Sequence, residues 1–104
     1  MIVTMGEAVP GRDVAEILGT VRGNTVRTRF FGRDIMAALR NLVGGEVPEY
    51  TKLMAEAREQ AIDRMIADAK NKGADAVICL RVTTSMIMGG SAELLAYGTA
   101  VRLS

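Results

Sequence analysis

A chain of 104 residues is one domain's worth of polypeptide, and at that size folding buries roughly 60–65% of the surface exposed by the unfolded chain. Hydrophobic residues make up 49% and charged residues 24%, a globular balance that excludes a disordered chain, while 13 Lys and Arg against 12 Asp and Glu leave a charge of +1 that singles out no partner. There is no His and a single Cys, which removes Ser-His and Cys-His nucleophile pairs, His-type zinc sites and any internal disulfide.

In chain order, Ile2–Met5 is a short apolar run closed by Gly6, and Pro10-Gly11 marks a turn. Val14–Phe30 is rich in β-branched residues but interrupted at Gly19 and Gly23-Asn24. It reads as two nearly continuous strand segments, with one long bulged strand as the alternative. Asp34 is suited to cap a short helix in which Ile35, Met36, Leu39 and Leu42 recur at helical spacing, and Gly44-Gly45 stop it after Val43. A longer helix begins at Pro48, whose fixed φ suits the first helical position, and ends at Gly73. Its apolar stripe is Tyr50, Leu53, Met54, Ala57, Ala61, Met65 and Ala69, and its wet side carries Glu56, Glu59, Asp63, Lys70 and Lys72. Small side chains along that stripe let another backbone approach closely.

Ala76, Ile78, Leu80 and Val82 alternate with Val77, Cys79, Arg81 and Thr83, the pattern of a strand. Ile78, Leu80 and Val82 are expected against the helices, with Val77, Cys79, Arg81 and Thr83 on the opposite face. That second face is expected to be open to water or covered by another subunit. Ser85–Ser91 reads as a glycine-hinged hairpin loop, and Leu94–Leu103 as the return strand, with Leu95, Tyr97, Thr99, Val101 and Leu103 on one face. The fold class expected is α+β: a mostly antiparallel sheet packed against one short and one long helix, in a single domain over 1–104.

Candidate functional residues are few. Cys79 is a soft-metal ligand or reactive thiol if exposed, and Arg81, two residues along the strand, would favour its thiolate. Its plain alternative is a small buried hydrophobe. Arg22, Arg27, Arg29, Arg33 and Arg40 form a basic stretch that could hold an anion or track phosphates. Only Phe30-Phe31 is interleaved with it, a thin basis for stacking bases, so nucleic acid is not the expected partner. The simpler reading pairs these arginines between subunits with the acidic helix surface of Glu49, Glu56, Glu59, Asp63 and Asp68. Met86, Ile87 and Met88 offer either a soft binding surface or a contact with a neighbouring subunit. The glycines flanking Arg33-Asp34 and Val43 lack phosphate-loop spacing. The absence of a basic leader and of an 18-residue apolar run gives the expectation of a cytoplasmic, membrane-free protein with no cofactor.

Several stretches, Leu18-Gly-Thr-Val-Arg-Gly-Asn-Thr-Val26, Gly32-Arg-Asp-Ile35, Leu39-Arg-Asn-Leu-Val-Gly-Gly45, the helix Tyr50…Glu56-Ala-Arg58, Gly73-Ala-Asp-Ala-Val77 and Tyr97-Gly-Thr-Ala-Val101, occur in one order over nearly the whole chain. Together they resemble the YbjQ family, small bacterial and archaeal proteins labelled heavy-metal-binding. The resemblance implies a compact α+β subunit assembled as a homopentameric ring, and it brings no catalytic residue. Many members of that family carry a small residue at the position of Cys79, followed by alternating acidic positions. Here those positions are Arg81 and Thr83, and a guanidinium offers a cation no lone pair.

Overall fold

A computed structural model of the chain describes residues 1–27, 48–87 and 91–104. Strand β1 spans Ile2–Val3, β2 Val14–Arg27, helix α1 Pro48–Asn71, β3 Ala76–Ile87 and β4 Ser91–Leu103. The four strands form one mixed sheet in the order β1-β3-β4-β2, with β1 parallel to β3 and the other pairs antiparallel. The α+β class stands, with a mixed sheet and one described helix. The short helix expected over 34–43 lies outside the described residues, as do Arg29, Arg33 and Arg40.

Several sequence expectations are corrected. The run from Val14 is one strand to Arg27, because bulges at Val14/Glu16 and Ile17/Gly19 absorb the irregularities without breaking the pairing with β4. Gly19 takes φ 117°, a backbone state in which a Cβ is costly. The hairpin loop is shorter than drawn, since β3 and β4 stay paired out to Ile87 and Ser91. The strict alternation drawn through β3 also fails. Ile78 pairs with Thr99 and Arg81 with Tyr97, so Cys79 and Leu80 together oppose the single residue Gly98. That extra residue resets the faces. Val77, Leu80 and Val82 pack on the helix side, while Ala76, Ile78 and Cys79 lie on the other.

The core follows from small side chains. Ala57, Ala61, Met65 and Ala69, each one helical turn from the next, are all fully buried. Ala61, Met65 and Ala69 meet Val21, Val77, Ala96 and Ala100 across the helix–sheet contact. Gly23 marks the closest approach: a Cβ placed there would fall 2.2 Å from the Ala61 carbonyl oxygen and 2.4 Å from the Met65 nitrogen. Thr25, the buried polar residue of this strand, donates its hydroxyl to the Ala57 carbonyl at 3.1 Å. Helix α1 ends in a Schellman motif, with Gly73 at φ 76°, its N–H donating to Lys70 and that of Ala74 to Ala69.

A second cluster, Val9, Ala76, Ile78, Val101 and Leu103, lies on the far side of the sheet with Cys79 packed against it. The chain between β1 and β2 therefore supplies a partial third layer, contrary to the expectation that only water or another subunit could cover this face. Val9 is held by its bridge to Arg12 around Gly11 at φ 82°.

Candidate functional site

Cys79 sits at the bulge with φ 56°, the only described residue other than glycine in the left-handed region. Two adjacent N–H groups point out of the sheet there. That of Cys79 donates to Gly6 at 3.0 Å and that of Leu80 to Thr4 at 3.1 Å, tying the N-terminal segment to β3. The thiol is half-buried and free. Arg81 is exposed, and its Nη1 donates to the carbonyls of Met5 at 2.9 Å and Leu80 at 2.7 Å. Its guanidinium thus clamps the same N-terminal segment. Among the described residues no three His, Cys, Asp or Glu side chains gather into a metal-holding group.

The two described arginines of the basic stretch are separated by strand parity. Arg22 is exposed on the sheet face away from α1, where Thr20, Arg22, Leu95 and Tyr97 line an open groove of about 280 Å³. Arg27 turns to the helix side and donates Nη2 to Gln60 Oε1 at 2.6 Å. Its Nε is buried without a partner among the described residues. A wider depression of about 440 Å³ lies there, lined by Arg27, Ala55, Gln60 and the acids Glu56, Glu59 and Asp63. All three acids are exposed. The ion pair given by the described residues lies elsewhere, between Arg102 and Glu16 at 3.8 Å.

Sequence reasoning missed the residues that guard the β2 edge. The Arg22 N–H donates to Asp68 Oδ2 at 3.2 Å, and Arg64 Nη1 donates to the Asn24 carbonyl at 2.6 Å. Both helix side chains thereby occupy backbone groups that an edge strand would otherwise present. The available signal was spacing: Arg64 and Asp68 are one turn apart, beside the buried stripe.

The described residues define a small α+β domain with a helix laid over a four-stranded mixed sheet, and among them there is no constellation for catalysis. All of it, residues 1–104, matches the YbjQ family, described as "Putative heavy-metal-binding", and the chain belongs to that family. It is 60% identical over 103 residues to a UPF0145 protein of Archaeoglobus fulgidus, covering 99% of this chain and 95% of that one. A UPF0145 protein of Shewanella frigidimarina is 53% identical, with 99% and 96% covered. In fold the chain is similar to the crystal structure of a protein of unknown function from Pediococcus pentosaceus, described as a DUF74 family member. That match has a TM-score of 0.72 at 14% identity and covers 100% of this chain and 98% of that one.

Proposed function

We propose that the protein is a non-enzymatic, cytoplasmic homo-oligomer, a closed ring most simply of five subunits, that acts as a binding or scaffold protein. The observation that carries this reading is apolar surface left open among the described residues: Ile17 is 68%, Val26 48% and Met86 69% exposed, and Thr20, Arg22, Leu95 and Tyr97 line an open groove on the sheet face turned from α1.

Ring closure needs two different surfaces that fit one another. The sheet face bearing Arg22, Leu95 and Tyr97 and the outer face of α1 bearing Glu56, Glu59 and Asp63 are opposite in charge and free of ion pairs among the described residues. Stacking the first on the second, subunit after subunit, would cover the open sheet face and pair both sets of charges. The number five comes from the family resemblance. The absence of His removes Ser-His and Cys-His nucleophile chemistry.

Among the described residues no group of His, Cys, Asp or Glu within one subunit suits a heavy metal. Cys79 is the single thiol, and the adjacent Arg81 is a cation bonded to carbonyls. Light scattering of wild type and Arg22→Glu tests the assembly. Wild type should be oligomeric and the variant, now acidic against an acidic helix face, should dissociate. Equal masses for the two would remove the proposed contact.

A further inference from the structure

We propose that residues 2–9 form a strap that lifts from the sheet as a unit, ahead of the rest of the fold, with Arg81 as its latch and Gly11 as its hinge. Lifting uncovers a strand edge and an apolar patch that the closed strap keeps from contact with other chains. The device is separate from the subunit contact proposed above.

The strap is fastened along one short stretch of β3. Ile2 and Val3 pair with Ala76 and Val77, and the Thr4 N–H donates to the Val77 carbonyl at 2.9 Å. Beyond that point the bulge takes over. In a regular strand consecutive N–H groups point to opposite sides, whereas here those of Cys79 and Leu80 both reach the strap, at Gly6 and Thr4. Arg81 adds a side-chain fastening, its Nη1 donating to the Met5 carbonyl at 2.9 Å. Each of these bonds ends within Ala76–Arg81, so the strap gives them up together.

Little apolar burial supports them. Val9, 8% exposed, is the one buried side chain in residues 1–13, while Ile2 is 40% and Met5 66% exposed. Val3 is half-buried against the main core. The chain immediately after the strap is pinned instead. The Ser104 N–H donates to the Asp13 carbonyl at 2.9 Å, and Arg12 Nε donates to the Ser104 carbonyl at 3.3 Å. Gly11, at φ 82°, lies between this fixed base and Val9, where a glycine gives the chain freedom to swing.

A segment with few buried side chains and exposed hydrogen bonds opens at a free energy well below that of global unfolding. Once the strap lifts, the N–H groups of Cys79 and Leu80 and the Val77 carbonyl become an unpaired edge. Beside it Ala76, Ile78, Val101 and Leu103 lose the cover of Val9. A free edge next to an apolar patch invites strand addition, so the closed strap is a cover in cis against it.

Native-state hydrogen exchange of the full chain at rising urea tests the strap. The amides of Cys79 and Leu80, whose acceptors lie in the strap, should exchange about a hundredfold or more faster than those of Leu94 and Ala96 in central β4. Their opening should hardly respond to urea, because lifting exposes little surface. Arg81→Ala should speed their exchange about fivefold, the effect of one net hydrogen bond, and Val9→Ala about tenfold through two lost buried carbons. Equal exchange of all four amides in wild type, with one common urea dependence, would make the opening global and overturn the strap even where a variant fails to fold. Unchanged exchange in folded Arg81→Ala would overturn the latch.

Discussion

The helix–sheet contact is most sensitive at Gly23. Substitution by alanine adds one carbon, which would fall 2.2 Å from the Ala61 oxygen, 2.4 Å from the Met65 nitrogen and 2.7 Å from the Arg64 Cβ. Ordinary carbon contacts lie near ~3.5 Å, so α1 must retreat by roughly 1 Å along this line. Two of the three obstacles are helix backbone, which cannot turn aside as a side chain can. The retreat also stretches the Thr25–Ala57 and Arg64–Asn24 bonds, now 3.1 and 2.6 Å. Overpacking of this kind costs on the order of 1–3 kcal/mol, and the rigidity of the obstacle places Gly23→Ala at the top of that range. Loss of glycine freedom in the unfolded chain offsets only about 0.4–1 kcal/mol. Gly19→Ala is the control, because its Cβ meets nothing within 4 Å and carries only the φ 117° penalty. At one fixed protomer concentration, Gly23→Ala should lower Tm by about 10 °C or more. A Gly23→Ala midpoint equal to wild type, or above that of Gly19→Ala, would refute the close approach.

The helix stripe makes a related prediction: Ala61→Leu, at a fully buried position, should cost about 1–3 kcal/mol in urea titration, and Ala55→Leu, at an exposed one, within about 0.5 kcal/mol. Equal midpoints would mean the stripe is misplaced. At Cys79, with φ 56°, a β-branched side chain is worse than none, so Cys79→Val should be less stable than Cys79→Gly by about 1–2 kcal/mol. The reverse order in thermal unfolding would contradict the bulge. Dialysed protein should retain no Ca²⁺, Mg²⁺ or Zn²⁺ by elemental analysis, whereas stoichiometric zinc lost on Cys79→Ser would show that copies pool their thiols.

What the sequence made legible is what local chemistry determines. Helix α1 could be read from Pro48, the stripe Ala57-Ala61-Met65-Ala69 and Gly73, because periodicity and caps act within a few residues. The face assignment in β3 was not legible, since one inserted residue inverts every side chain before it and a cysteine gives no sign of a left-handed backbone. The clue lay across the sheet in Gly98, whose missing Cβ leaves room for Val77, but pairing with it is a long-range fact. Gly23 read as an interruption of a strand, though its role is to admit a helix. Of the site, Arg22 and Arg27 differ in parity, so their placement on opposite faces was available from numbering alone. The parallel β1 and the partial cover by Val9 depend on tertiary contacts that no local pattern announces.

The central claim is that a single chain leaves a sheet face for copies of itself to cover. Light scattering of the purified protein at micromolar concentration tests it most directly. A mass near five times 11.1 kDa is the predicted result, and a stable monomer of 11.1 kDa would contradict the account.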